Sequence, residues 1–160
     1  MAIEIVPVEE KHLPALEQKI RGYTDRRDGR TFDTGKHMAA ARTSLGDRNT
    51  VFLVAVDRET GELVAYSYAH ISKKKEDHVA HDQWTVNLGS AQRNTPGVGM
   101  ELFKRKIGEL AHRGVTEIHG MARDSSIKEL LQKAMALTEH QIEWPDRSID
   151  TKFIIRVKPK

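Results

Sequence analysis

Two glycines in one short loop have the spacing that most clearly suggests a ligand site. Gly97 and Gly99 lie in residues 93–99, RNTPGVG, between an alternating apolar run and a run of helical period. Such runs predict a strand and a helix respectively, so the glycines are expected where the chain enters a helix. Free N–H groups and the helix dipole both favour an anion at a helix N-terminus. The loop therefore predicts a phosphate site.

The loop matches neither of two common nucleotide-binding motifs. It lacks the Gly-Lys-Ser/Thr ending of a P-loop and the three glycines of the dinucleotide fingerprint. A structural role is the alternative for Gly97 and Gly99, because small residues at a helix entry also allow close packing against a sheet. The order of the surrounding elements must therefore carry the functional interpretation.

Four ionisable or hydroxyl side chains are candidates for proton transfer. Asp82 and Glu117 could act as bases, His119 lies on a predicted strand, and Ser125 lies at a predicted helix start. Each also has a structural explanation: an exposed carboxylate, a half-buried histidine or a helix cap. Residues 78–82 contain two histidines and an aspartate at a usable spacing for a metal, but no second ligand cluster accompanies them, so no metal site is predicted.

Composition limits the class of protein. A chain of 160 residues is expected to form a single domain over residues 1–160. The absence of cysteine excludes disulfides, thiolate catalysis and cysteine–zinc sites, which suits a cytoplasmic protein. No apolar run reaches membrane-spanning length and the N-terminus lacks the apolar core of a signal peptide, so no membrane partner is expected.

The positive charge is small and clustered. The formal net charge is +3. Two basic clusters account for much of it: Arg26, Arg27, Arg30 and Lys73, Lys74, Lys75. They are interpreted as solvated loop charge, with a rim attracting an acidic ligand as the alternative. Few aromatic side chains accompany them, so nucleic acid is an unlikely partner.

Apolar patterning predicts the elements that must position these residues. The order is β-α-α-β-β-β-α-β-α-β-β, an α/β (α+β) fold with a mixed, mostly antiparallel sheet of six or seven strands and about four helices. Asp33 or Thr34 is expected to cap the second helix, whose apolar side would be Met38, Ala41 and Leu45.

Three further expectations concern individual segments. Val64, Tyr66, Tyr68 and His70 are predicted on one side of the third strand, and residues 72–82 are predicted as a loop before a fourth strand beginning near Trp84. Ser126 and Glu129 form a capping box that opens the last helix, with Ile127, Leu130, Leu131 and Ala134 on its apolar face.

This order, with a phosphate-type loop after the fourth strand, resembles the GCN5-related N-acetyltransferases. Their pyrophosphate loop is written Arg/Gln-x-x-Gly-x-Gly/Ala. If Arg93 is the family arginine, the loop here is one residue longer; if Gly97 and Gly99 set the register, Asn94 takes the arginine position. The resemblance covers almost the whole chain.

The resemblance implies where acetyl-CoA would lie. The fourth and fifth strands would splay apart, and the pantetheine arm would pair with the fourth strand near Val86 and Leu88, within residues 86–89. Backbone N–H groups of the loop would hold the pyrophosphate, with charged contacts from Arg93 and Lys104. The implied loop residues are Asn94, Thr95, Gly97, Val98, Gly99 and Met100.

The implied reaction is direct transfer of the acetyl group from acetyl-CoA to an amine, on either a small molecule or a peptide. The acceptor pocket would involve the first two helices and the connection between the last strands. The family acid is commonly a tyrosine in the helix after the fifth strand, but Leu131 lies near that place and no tyrosine follows Tyr68. Pro96 also removes one loop donor.

These departures support a second hypothesis, a non-catalytic member of the same fold that serves as a structural or binding subunit with a protein partner. Phage-encoded acetyltransferase-like virion proteins are similar in general plan, which would place the protein in a virion. A nucleic-acid-binding role rests only on the basic clusters. The sequence leaves the acceptor, the catalytic residues and any homo-oligomer open.

Overall fold

The computed structural model describes residues 2–23, 29, 31–74, 78–89, 97–122, 125–145 and 151–158. The predicted contacts of Arg93, Asn94 and Thr95 lie outside these ranges, as do Pro96 and the arginine cluster.

Seven strands form one sheet in the order β1-β2-β3-β4-β5-β7-β6. Neighbouring strands are antiparallel except for the parallel pair β4 and β5. The strands are β1 (Ile3–Pro7), β2 (Thr50–Asp57), β3 (Leu63–Ile71), β4 (Val79–Asn87), β5 (Glu117–Met121), β6 (Gln141–Glu143) and β7 (Lys152–Arg156). The helices are α1 (Leu13–Gly22), α2 (Thr34–Ser44), α3 (Val98–His112) and α4 (Ser125–Ala136), with a 3₁₀ turn at Glu10–His12. The predicted fold class and order of elements are confirmed.

The two faces of the sheet carry different helices and separate cores. On one face, Leu16 and Ile20 of α1 and Met38 and Ala41 of α2 pack against strand residues that include Tyr66. On the other face, α3 and α4 bury a larger core, which includes Leu102, Ile107, Leu131, Ile118 and Phe153. Each such side chain contributes about 1.5–3 kcal/mol when fully buried. This two-sided packing fixes the position of the central strands.

Both the helix starts and the apolar faces agree with the predictions only in part. The Asp33 carboxylate accepts a hydrogen bond from the Lys36 N–H at 3.0 Å, so Asp33 is the cap of α2. Two predicted core residues, Leu45 and Leu130, are instead 43% and 49% exposed. Leu45 lies beyond the last residue of α2, and Leu130 faces away from the sheet. Ser126 lies inside α4, one residue after its start, rather than at its cap.

A bulge in β3 changes which side Val64 faces. Ala65 pairs with Ala55 and Leu63 pairs with Val56, which leaves Val64 as an extra residue. Val64 packs in the α3 core, whereas Tyr66 packs beneath α1 and α2. The prediction of one shared side is therefore wrong for Val64, because a bulge resets the alternation of side chains.

The fourth strand begins five residues earlier than Trp84. Val79–Asn87 is β4, so the prediction of a loop over residues 72–82 is wrong at its C-terminal end. Its first residues carry a polar pattern because Val79 and His81 lie on a partly open face of the sheet, while Asp82 on the other face meets Lys106 of α3. Among the described residues, no helix is long and apolar enough to cross a membrane.

Candidate functional site

The parallel strands β4 and β5 separate partway along their length. They pair at Val79–Glu117, Ala80–Ile118 and His81–His119, and no pairing is recorded beyond His81 in the described part of β4. Gln83, Thr85 and Asn87 are exposed although β4 lies in the interior of the sheet. A wedge-shaped gap therefore opens from the His81–His119 pair towards the C-terminal end of β4, as the resemblance implies.

The N-terminus of α3 stands beside this gap. Gly97 caps the helix in the left-handed conformation, with φ 79° and ψ −9°. A Cβ atom at Gly99 would lie 3.9 Å from Cγ2 of Thr85, which places the first turn next to the exposed edge of β4. The first N–H groups of an α-helix have no intrahelical acceptor, and here they belong to Val98, Gly99 and Met100. The turn can therefore donate to an anion at the mouth of the gap.

The other predicted cofactor residues have mixed positions. The side chain of Val86 is buried beneath α1 and α2, so only its backbone could meet a ligand in the gap. The N–H groups of Leu88 and Gly89 donate to the Val64 carbonyl at 2.9 and 3.1 Å, so Leu88 directs its N–H towards β3. Backbone groups point alternately to the two sides of a strand, so the N–H and C=O groups of Asn87, between Val86 and Leu88, point into the gap. Lys104 lies 3.7 Å from Glu101 on the exposed surface of α3.

A buried lysine lies at the narrow end of the gap. Lys106 of α3 is 1% exposed, and its Nζ forms an ion pair with Asp82. The same Nζ donates to Oγ1 of Thr85 at 3.1 Å and to the Trp84 carbonyl at 3.3 Å. Burial lowers the pKa of Lys106, while the charge of Asp82 opposes that shift. Asp82 is therefore a buried partner of an ammonium group rather than the exposed carboxylate expected from the sequence.

Three histidines cross the open face of the sheet at the vertex of the gap. His70 on β3 pairs with His81 on β4, and His81 pairs with His119 on β5. Their ring centroids are 5.1 Å apart for the first pair and 5.9 Å for the second. Nε2 of His119 lies 3.1 Å from the Glu117 carboxylate, which also meets Arg156 at 3.1 Å. Glu117 and His119, two predicted candidates, are therefore in direct contact.

A cleft of about 440 Å³ adjoins this row. Tyr68, His70 and His81 form one wall, and the remaining lining comes from the end of α2, the following turn and the residues after β3. Those other residues are Thr43, Asp47, Asn49, Thr50, Ile71, Ser72 and Lys73. Burial and the neighbouring His81 lower the pKa of His70, which favours a neutral imidazole.

Other features of the surface are less closely tied to the gap. A larger cleft, of about 630 Å³, lies around Arg113. The guanidinium of Arg113 donates hydrogen bonds to the backbone carbonyls of Arg48 and Thr50. Ser125, the remaining catalytic candidate, is exposed at the first residue of α4. Within the described ranges, no cluster of three or more histidine, aspartate or glutamate side chains could hold a metal.

An aromatic stack connects α2 to β4 just after the vertex. The ring of His37 lies on the indole of Trp84, and the indole stacks on Tyr68 with centroids 5.1 Å apart. Nδ1 of His37 lies 2.7 Å from the Tyr66 hydroxyl. Burial lowers the pKa of His37 to about 4, so a neutral ring shares this hydrogen bond with the Tyr66 hydroxyl. The sequence prediction overlooked His37, although its i, i+4 spacing with Ala41 indicated the buried face of α2.

The place expected for a catalytic tyrosine is occupied by a core residue. Leu131 of α4 is 4% exposed and belongs to the core beneath α3 and α4. The sequence has no tyrosine after Tyr68.

No protein-family model matches the sequence, and no curated protein matches it at a significant level. Solved structures are similar in fold. The PaiA N-acetyltransferase of Thermoplasma acidophilum, in complex with coenzyme A, has a TM-score of 0.65 at 16% identity, over 99% of both chains.

Two further structures are similar to nearly the same extent. A GNAT superfamily phosphinothricin acetyltransferase of Sinorhizobium meliloti, in complex with acetyl-CoA, has a TM-score of 0.64 at 15% identity, over 99% of this chain and 90% of that one. The ribosomal-protein-S18-alanine N-acetyltransferase of Escherichia coli has a TM-score of 0.63 at 16% identity, over 99% and 96%. At these identities the likeness establishes the fold, which is that of the GNAT acetyltransferases.

Proposed function

We propose that this protein is an acetyl-CoA-dependent N-acetyltransferase that transfers the acetyl group directly to an amine. The observation that carries the proposal is the gap between β4 and β5, with the glycine-bearing N-terminus of α3 at its mouth. A thin, extended cofactor arm fits between two separating strands, and a pyrophosphate fits a helix N-terminus. Two of the solved structures with this fold are described as complexes with coenzyme A or acetyl-CoA.

The cofactor would use backbone groups more than side chains. The pantetheine arm would lie along the exposed edge of β4 from Thr85 to Asn87. The N–H groups of Val98, Gly99 and Met100 would face the pyrophosphate, with Lys104 near an outer phosphate. The preceding loop residues Arg93, Asn94 and Thr95 would complete the anion site, as the sequence predicts.

The amine would approach from the face that carries the histidine row. The cleft lined by Tyr68, His70 and His81 adjoins the vertex, and Asp47 provides a carboxylate that would attract a cationic amine before it loses a proton and attacks. The acceptor is therefore an amine small enough for this cleft, or the amine end of a peptide.

Direct transfer needs a neutral amine and a proton acceptor. The amine nitrogen attacks the thioester carbonyl; a C–N bond forms, the C–S bond breaks, and the amine proton passes to a base. His119, held by Glu117 at the vertex, is the proposed base, acting directly or through water. The thiolate of coenzyme A would leave with the electrons of the C–S bond and take a proton from water, which would replace the missing tyrosine as the acid.

The test is a calorimetric titration of the purified protein with acetyl-CoA and with CoA. We expect micromolar binding that Gly99→Trp abolishes, because the indole would fill the space beside Thr85. Gly22→Trp on α1 is the matched control, since a Cβ atom there would meet nothing within 4 Å. Failure of the wild type to bind at hundreds of micromolar would refute the proposal.

A non-catalytic subunit of the same fold is the second candidate. Leu131 in the expected tyrosine position favours it. So do Leu130 and Leu137, which are 49% and 83% exposed and lie seven residues apart on and just after α4. A structural role, in a virion or elsewhere, predicts a protein partner and tolerance of Gly99→Trp, so the same titration separates the two candidates.

A further inference from the structure

A second bulge lies in β4, at the vertex of the gap. Tyr68 pairs with Trp84 and Ala69 pairs with Asp82, which leaves Gln83 as the extra residue. The bulge reverses the alternation of side chains, so Asp82 faces α3 while Trp84 faces α2. Bulges also interrupt the backbone ladder, and the interrupted groups need other partners.

Lys106 supplies one such partner from the helix. Its ammonium group donates to the Trp84 carbonyl and the Thr85 hydroxyl, and it forms an ion pair with the Asp82 carboxylate. Asp82 precedes Gln83 in the chain, and Trp84 and Thr85 follow it. The Lys106 side chain therefore contacts β4 on both sides of the bulge. Ser67 of β3 completes the network, with its Oγ 2.7 Å from Oγ1 of Thr85 and 3.1 Å from the Trp84 carbonyl.

The opposite strand lacks a side chain at this level. A Cβ atom at Gly120 would lie 3.0 Å from Cβ of Asp82 and 2.5 Å from Cζ of Phe153. Asp82 and Phe153 therefore occupy the space that a residue on β5 would need. The recorded pairing of β4 with β5 ends one residue earlier, at His81–His119. The Lys106–Asp82 pair thus stands where the two strands part.

We propose that Lys106 and Asp82 are positioning residues, which hold the bulge at Gln83 and thereby fix the Thr85–Asn87 edge of β4 that faces the gap. Stability is a poor explanation for the pair. Removing two charges from water is costly, and apolar replacements of a buried ion pair are often as stable as the pair itself. The expected effect on CoA affinity rests on the function proposed above. The expected effect on the backbone around Gln83 does not depend on that function.

The experiment compares the wild type with the double variant Lys106→Met, Asp82→Asn. Both charges are removed, so neither is left unpaired in the interior as it would be after one substitution. The matched control is Lys19→Met, Glu62→Gln, which removes a partly buried ion pair between α1 and the start of β3. Four quantities are measured for each protein: the thermal midpoint, the amide hydrogen exchange of Trp84 and Val86 without ligand, the affinity for CoA, and the fluorescence of Trp84.

We expect the double variant to fold with a thermal midpoint within a few degrees of wild type. Its amides at Trp84 and Val86, which face β3, should exchange at least ten times faster, and its affinity for CoA should fall at least tenfold, whereas the control changes neither. The fluorescence of Trp84, read in a Trp144→Phe background, should change as its carbonyl loses Lys106. Unchanged exchange and fluorescence would overturn the proposal.

A midpoint drop without a local change in exchange would also overturn it, because it would show a purely stabilising role. If the wild type does not bind CoA, the proposed function fails, but exchange in the ligand-free proteins still decides the role of Lys106.

Discussion

The imidazole of His37 lies nearly parallel to the indole of Trp84, with ring centroids 3.7 Å apart and 15° between the planes. The contact joins α2 to β4 directly after the bulge at Gln83. His37 is 3% exposed and Tyr66 is fully buried, so the imidazole ring and the hydroxyl that it is hydrogen-bonded to are both removed from water. Protonation of His37 would oppose this arrangement.

The protein should therefore lose stability as the pH falls from about 6.5 to 4. The folded-state pKa of His37 is lowered to about 4 by burial and by Lys36, with Asp33 opposing. The unfolded chain then binds a proton that the folded chain excludes, so the free energy of unfolding falls through this window and levels off below it. Up to about 3 kcal/mol would be lost.

Urea unfolding at several pH values measures this loss. In the variant His37→Phe with Tyr66→Phe, which removes the ionisable ring and its partner together, the difference from wild type should shrink as the pH falls. An identical pH dependence in both proteins would show that His37 titrates normally.

Gly97→Ala should destabilise the protein by about 1–2 kcal/mol, because a residue with a Cβ atom is strained in the left-handed conformation. Gly97→Asn should lose less, since asparagine tolerates that conformation better. Guanidinium unfolding gives both values. Equal losses for alanine and asparagine would mean that backbone conformation is not the cause.

Gly120→Ala should destabilise the protein by about 1–3 kcal/mol through overpacking against Phe153. Adding Phe153→Leu should recover part of the loss, because the smaller side chain vacates the space. A double-mutant cycle measured by thermal unfolding tests this coupling. Additive effects would indicate that the clash is relieved elsewhere.

Once an acceptor amine is known, His119→Gln should lower kcat by about 10²–10⁴-fold, the usual range for loss of a general base. The affinity for acetyl-CoA should stay within a few-fold of wild type, because the proposed cofactor contacts lie on β4 and α3. Glu117→Gln should have a smaller effect in the same direction. His112→Gln, at the exposed end of α3, is the control. An unchanged kcat in His119→Gln would remove it from the mechanism.

Local patterns predicted the order of the elements and the Asp33 cap because each depends on a few neighbouring residues. The bulges at Val64 and Gln83 could not be predicted in this way. A bulge inserts one residue without a recognisable change in composition. In the sequence, one continuous face is therefore suggested by Ala80, Asp82, Trp84 and Val86. In the structure the first two point towards α3, and the last two point towards α1 and α2.

The site was harder to predict than the fold because its polar groups are hidden. Lys106 lies on the apolar face of α3 beside Phe103 and Ile107, but most lysines at such positions reach back to solvent. Lys106 can be buried because the Asp82 carboxylate compensates its charge, and the Asp82 side chain points towards α3 because of the bulge at Gln83. Glu117 and His119 were predicted as separate candidates for proton transfer, and their contact follows from a two-residue spacing that places both side chains on the same face of β5.

The short parallel pairing also gives the sheet a mechanical weak point. Strands β4 and β5 share three residue pairs, whereas β3 and β4 share seven. When the chain is stretched in a single-molecule experiment, the interior of the sheet should therefore separate first between β4 and β5. A cofactor bound between these strands would contact both of them, so the force needed to separate them would rise with the cofactor concentration.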